Sequence, residues 1–318
     1  MNIQKIAQLA GVSPATVSRV FNHQTNVSEE IRLKVLETAR KHNYLPYLSP
    51  RQKNIVILTP YNSVYPVQSC VDMLLMALTQ HLPEYGFRME ILPVNSQERL
   101  DSIQFCGAVA IGCEITDFPD WNERFQAPLI ILDRNAPAKK QDNVFFVHSD
   151  EAHGMELAIA HLAGRGRKKI GCIIHGTPDR GNALIRYNAI VKSLEKHNLP
   201  SSPQLICYSG DGTEKYIELI GKLLNKGVDA LFCPGGNAGI LAVYALSLFR
   251  KNIPDDIALI ASELSNFSQF GVPPQTSITP DYQGLAKEVG QLFDDWLNKK
   301  KVKYDTVLPY HLIQRETV

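Results

Sequence analysis

From Ile55 onward the chain alternates short apolar runs with longer amphipathic stretches, and this rhythm limits its fold more than any other feature. IVIL is followed by VQSCVDMLLMALTQHL, then by MEIL, CGAVAIG and PLIILD. After about residue 150 the alternation resumes, with EAHGMELAIAHLAG before KIGCIIHG, LIRYNAIVKSLEKHN before QLICYSG, EKYIELIGKLLNKG before ALFCPG, and AGILAVYALSLFRK before IALIAS. Short apolar runs between amphipathic helices are strands covered on both faces. The predicted fold class is therefore α/β with parallel sheets. Two series of about five or six strands imply two doubly wound subdomains, with ligands expected beyond the carboxyl ends of the strands. No P-loop, G-x-G-x-x-G, H-E-x-x-H or G-x-S-x-G motif occurs, so neither an enzyme nor a cofactor or metal site is expected.

A length of 318 residues suits two or three domains, and a 44% hydrophobic content is enough to fill their cores. No apolar run is long enough for a membrane span, and the start, MNIQKIAQLAGVS, has no signal-peptide block. The six cysteines form no C-x-x-C pair and mostly sit inside apolar runs, as reduced core residues of a cytoplasmic protein do. The net charge of +1 hides an asymmetry: residues 1–54 hold eight Lys/Arg against three acids, whereas the remainder holds 25 against 29. A basic head on a mildly acidic body fits a polyanion-binding module joined to something else.

The head has its own pattern. In IQKIAQLA, Ile3, Ile6, Ala7 and Ala10 recur at helical spacing, and Gly11 ends the run. Ser13 is predicted as the N-cap of a second helix, with Pro14 at its first position. A third helix follows Ser28; Ile31 stands where a capping box would need an acid or amide, while Glu29 and Glu30 favour the helix dipole. Helix, short Gly-containing turn and helix make a helix-turn-helix, whose second helix enters the DNA major groove. Val17 and Val20 are core residues of this unit. Arg19 can span O6 and N7 of a guanine, and Thr16 and Ser18 are suited to phosphate. Pro14 and Ala15 offer only apolar contact, such as to a thymine methyl.

IQKIAQLAGVSPATVSRVFN, followed by VSEEIRLKVLETARKHNYLP, closely resembles the DNA-binding head of the lactose-repressor (LacI/GalR) family. The resemblance implies base reading by Pro14, Ala15 and Arg19, phosphate contacts near Ser13, Thr16, Ser18 and Asn22, and a backbone contact from Tyr44. The body resembles the family's periplasmic-binding-protein-like core, through HSDEAHGMELAIAHLAGRGRKKIGCI, PPQTSITPDYQGLAKEVGQLFDDWL and a final strand in VLPYHLIQRETV. The expected organisation is a helix-turn-helix domain at 1–47, a hinge at 48–54, and a core at 55–318. Within the core, one subdomain takes about 55–150 plus 282–306, and the other about 151–281 plus 307–318.

Two stretches depart from the family pattern. Members usually continue from the Tyr-x-Pro into a short leucine-bearing helix that opens the minor groove. Here YLPYLSPRQKN is shorter and carries Pro46 and Pro50, which disfavour a regular helix and put that intercalation in doubt. In the effector cleft the resemblance implies polar contacts from Asp133, Arg186 and Glu263 and an aromatic contact from Tyr282. Asn237 is the amide left beside Gly235-Gly236, and Tyr61 is a further aromatic candidate. For Asp133, Arg186 and Glu263 a purely structural ion pair is the competing role.

The function these observations imply is a repressor that binds a palindromic DNA operator as a homodimer. A small polar effector, a sugar or sugar acid, controls it, with Arg186 tilting toward an anionic group. The alternative is a ligand sensor of the same fold whose DNA binding is weakened by its shortened hinge.

Overall fold

The structure, a computed structural model, describes residues 2–21, 27–42, 44, 53–60, 70–179, 181–210, 215–235, 237–263 and 265–318. The head contains helices α1 (Ile3–Ala10), α2 (Pro14–Phe21) and α3 (Glu29–Lys41) around a core of Ile6, Ala10, Val17, Val20, Val35 and Ala39. Gly11 closes α1 in the left-handed region (φ 66), which a glycine adopts without strain, and so sets the turn into α2. Ser28 occupies the N-cap position of α3 but makes no capping bond with its side chain.

The first core sheet contains β1 (Asn54–Thr59), β2 (Arg88–Pro93), β3 (Gly107–Ile111), β4 (Leu129–Leu132) and β5 (Val144–Ser149). Helices α4 (Cys70–His81) and α5 (Trp121–Arg124) belong to the same stretch of chain. The second half follows with α6 (Glu151–Gly164), β6 (Ile170–Ile174), α7 (Ala183–Lys196), β7 (Ile206–Tyr208) and α8 (Tyr216–Asn225). It continues through β8 (Ala230–Cys233), α9 (Ala238–Leu248), β9 (Ala258–Ser262), α10 (Ser265–Phe270) and β10 (Ser277–Pro280). The chain ends with α11 (Tyr282–Leu297), β11 (Asp305–Leu308) and β12 (Tyr310–Ile313).

Strand order is β11-β5-β4-β3-β1-β2 in one sheet and β12-β10-β9-β8-β6-β7 in the other. Strands β1 to β5 pair in parallel, as do β6 to β10, so each sheet is doubly wound as its alternating sequence implies. Central strands such as GAVAI and LIIL are buried throughout. Each fully buried large aliphatic side chain there contributes about 1.5–3 kcal/mol.

Two details correct the sequence reading. The expected single final strand is two: β11 joins the first sheet and β12 the second, with Pro309 between them. Proline has no N–H to continue a ladder, so it suits the point where the chain changes sheets. The second departure is that β12 runs antiparallel to β10 at its edge, the mixed pairing common at the margins of otherwise parallel sheets.

The chain divides into two compact units. One takes Met1–Val64, Leu74–His148 and Gln283–Thr306, the other Tyr65–Met73, Ser149–Tyr282 and Val307–Val318. The head thus counts with the first core sheet.

Candidate functional site

In the head, local chemistry orients α2. Ser13 Oγ accepts a hydrogen bond from the Thr16 backbone N–H at 3.0 Å and lies 2.9 Å from Thr16 Oγ1. Pro14 opens the helix where its missing N–H costs nothing. Val17, Val20 and Phe21 face inward, leaving Pro14, Ala15 and Arg19 exposed and Thr16 and Ser18 half-buried. The outer face therefore carries the candidate base readers and two short hydroxyls together. Tyr44 packs edge-to-face on Phe21 with ring centroids 5.9 Å apart, and partial burial raises its phenol pKa. Asn22 lies outside the described residues, as do hinge residues 48–52 with Leu48, while Asn54, expected in the hinge, already begins β1.

A contact with no signature in the sequence ties the head to the first sheet. Arg40, in the last turn of α3, donates to Asp101 Oδ1 at 2.9 Å and to the Asp101 carbonyl at 2.9 Å. Arg124 reaches the other carboxylate oxygen at 3.2 Å. The two guanidiniums lie 5.1 and 4.9 Å from the centroid of the Phe125 ring.

The second unit gathers its polar groups near the carboxyl ends of its strands. Arg186 forks onto Glu151 of α6, with Nε 2.7 Å from Oε2 and Nη2 3.0 Å from Oε1. Asn182 Nδ2 and the Tyr310 hydroxyl each donate to Glu151 Oε1 at 3.0 Å. Burial by itself would raise the Glu151 pKa, but the Arg186 charge and these donors more than offset it, and the carboxyl is held below its usual range. Arg186 also presses on the turn after β8: a Cβ on Gly235 would lie 2.5 Å from Nη1, and Gly235 has φ 92. Only glycine meets both demands at that position. Asn237 follows as the N-cap position of α9 without a capping bond from its side chain.

Glu263, just after β9, is held by Arg315, whose Nη2 and Nη1 lie 2.9 Å from Oε1 and Oε2, with Ser277 Oγ also donating to Oε2. In the first unit Asp133 follows β4 with φ 68, a left-handed conformation that Asp tolerates better than most residues. Arg134 Nη1 lies 3.7 Å from its carboxylate, while Nε of the same arginine donates to Glu114 at 2.7 Å. Tyr282 begins α11 and is half-buried; Tyr61 lies outside the described residues.

Comparison with known proteins decides what this architecture is. The model described as "Bacterial regulatory proteins, lacI family" matches residues 2–47, and that of the "Periplasmic binding protein-like domain" matches residues 159–318. The chain belongs to the LacI family. The HTH-type transcriptional regulator DegA of Bacillus subtilis (strain 168) is 25% identical over 338 residues, covering 99% of this chain and 97% of that protein. Among solved structures, a transcriptional regulator CelR–cellobiose complex aligns over 100% of both chains with a TM-score of 0.73 and 20% identity. The Lac repressor dimer bound to operator and the anti-inducer ONPF aligns over 100% of this chain and 98% of its own, with a TM-score of 0.69 and 19% identity. LacI-family relatives are transcription regulators and not enzymes, and this chain is a DNA-binding regulator of that kind. No helix among the described residues is long and apolar enough to cross a membrane.

Within this LacI-family frame, the structure brings Arg186 against the turn leading to Asn237, and it occupies Arg186 and Glu263 with ion-pair partners. Sequence reasoning missed those partners, Glu151 and Arg315, together with Asn182 and Tyr310. Glu151 reads as an ordinary first-turn acid of α6, and nothing in its neighbours signals that it is only 2% exposed. Four of the six cysteines, Cys106, Cys113, Cys172 and Cys233, are buried, and none of the six is in a disulfide.

Proposed function

We propose that this LacI-family regulator is a homodimeric repressor that binds a palindromic operator and is controlled by a small polar effector. The observation that carries the proposal is the outer face of α2, where Ala15, Thr16 and Arg19 stand together on a packed helix-turn-helix. In this reading Arg19, Pro14 and Ala15 meet base edges, and Ser13, Thr16, Ser18, Asn22 and Tyr44 meet the backbone. Dimerisation finds support in exposed apolar side chains that an isolated monomer would leave in water. Phe270 is 72% exposed and Val272 90%, beside Phe267, and Tyr244 and Leu248 stand one turn apart on α9. The Lac repressor structure in the comparison is a dimer on operator, which supports the same arrangement. A cytoplasmic location follows from a DNA partner.

For the effector, Asp133, Arg186, Asn237, Glu263, Tyr61 and Tyr282 remain the proposed contacts. An anionic ligand, expected from a lone Arg186, is not the reading retained. Arg186 is countered by Glu151 and Glu263 by Arg315, so these polar groups present neutral pairs better suited to a polyhydroxyl compound. The cellobiose bound by CelR belongs to that chemical class.

Mobility shifts on DNA from the regulator's own gene neighbourhood test the proposal. Arg19→Ala is expected to lose about 1–3 kcal/mol of specific binding and to relax preference at one base pair per half-site. Equal weakening on all sequences would make Arg19 a phosphate contact. No retained DNA at any salt concentration would favour the ligand-sensor alternative.

A further inference from the structure

The edge of the first sheet where its strands begin carries a charged rim that operator reading by the head leaves unused. Strands β1 to β5 run parallel. Bonds from Phe146 N to the Tyr304 carbonyl (2.9 Å) and from Asp150 N to the Leu308 carbonyl (2.7 Å) advance together along β5 and β11, as parallel strands require. All six strands therefore start at one edge. The head belongs to the same edge: Arg40 binds Asp101 and lies over Phe125, residues that lead into β3 and β4. One and two places beyond β4 in the sheet are β5 and β11. At about 4.8 Å per strand, β11 is about 10 Å from β4.

Lysines crowd that stretch of edge. Lys139 and Lys140 lead into β5, and Lys299, Lys300, Lys301 and Lys303 lead into β11; all six are exposed. Lys140, Lys301, Lys303 and Tyr304 line a groove of about 700 Å³. Lys300 is neutralised by Asp295 at 2.8 Å, and Lys140 Nζ lies 5.0 Å from the centroid of the Tyr304 ring. Asp305, the acid within the groove, faces His148 at 3.0 Å. Among the described residues no ion pair is recorded for Lys139, Lys299, Lys301 or Lys303. The C-terminal dipole of α11 accounts for cations at Lys299 and Lys300. It does not account for Lys140, which comes from another segment and lines the groove beside Lys301 and Lys303.

We propose that this lysine rim is a second DNA contact, holding backbone phosphates that flank the site read by the head. The proposal rests on DNA binding by the head, because the head brings the duplex to this edge. Flexible ammonium groups around an open groove suit a line of phosphates, one charge per about 1.7 Å of duplex axis, better than one small anion fixed in place. Such contacts carry no sequence information but add affinity and salt dependence.

The test is fluorescence anisotropy of the full chain over a salt series, on two random-sequence duplexes. One is about 16 base pairs long, enough for two heads about one helical turn apart, and the other about 40. The variant Lys140→Gln/Lys301→Gln/Lys303→Gln is expected to flatten the log K against log salt slope on the long duplex by about 2.7 for each protomer in contact. It should leave the short duplex unchanged, and the triple Arg variant should restore the long-duplex slope. An unchanged long-duplex slope, with wild type still binding the short one, overturns the rim contact alone. Failure of wild type to bind either duplex overturns the head's DNA binding and the rim together. If inorganic phosphate raises the melting temperature of wild type but not of the Gln variant, while the slopes agree, the groove takes a small anion and the DNA contact is overturned.

Discussion

Among the arginines that hold distant segments together, Arg186 and Arg40 have sharply different surroundings. Arg186 meets Glu151 where the carboxylate side chain is 1% exposed, with two further donors on the same acid. Arg40 meets Asp101 where the side chains are 28% and 42% exposed, beside a second arginine and an aromatic ring. Around Glu151 water has almost no access, so losing its partner is costly. At the edge of the first sheet water competes throughout, so the contact is weak. The difference separates a buried pair inside the second unit from an exposed fastening between the head and the first sheet.

The largest effect expected is at the buried pair. Arg186→Ala leaves Glu151 charged, buried and uncompensated, and should lower unfolding free energy by about 3–5 kcal/mol in urea denaturation. Glu151→Gln/Arg186→Met should recover most of that loss. If the single variant is as stable as wild type, Glu151 is not sealed from water and the contrast with Arg40 collapses. Effector assays on Arg186→Ala should therefore be paired with a stability measurement.

A smaller effect is expected at Glu156 on the surface of the second unit. Its desolvation acts to raise the pKa, but bonds from Lys196 (2.6 Å), Ser193 (2.5 Å) and His197 (3.1 Å) more than offset it, and the value falls to about 2. The folded pKa lies below the ordinary 4.5. Its stabilisation is then present above pH 4.5 and lost as pH falls toward 2. The wild type should lose more stability than Glu156→Gln across that window, read by denaturation at fixed pH steps. Parallel pH curves would remove the cluster from the stability of this unit.

The smallest effect is expected at the exposed pair. Arg40→Ala should change global stability by less than about 1 kcal/mol. It should nevertheless speed amide hydrogen exchange or proteolysis near α3, because the head loses its fastening to Asp101. A loss as large as that of Arg186→Ala would make the joint part of the core.

Much of the architecture was legible because it rests on local physics. Gly11, Ser13 and Pro14 act within one turn of chain, and they place α2 without help from distant residues. Alternation of apolar runs with amphipathic helices likewise specifies two doubly wound sheets, because burial on both faces is written into each run. The final segment was harder to read. VLPYHLIQRETV is apolar enough for one strand, and only the competing sheets divide it at Pro309. Local pattern was enough for most of the elements, for their order and for the kind of head. Tertiary structure alone decided that Glu151 would take Arg186, 35 residues away, that Arg315 would take Glu263, 52 away, and that Arg40 would reach Asp101, 61 away. Hydrogen bonds along a helix or turn are set by spacing, whereas a charge finds its counter-ion only once folding has excluded water from both.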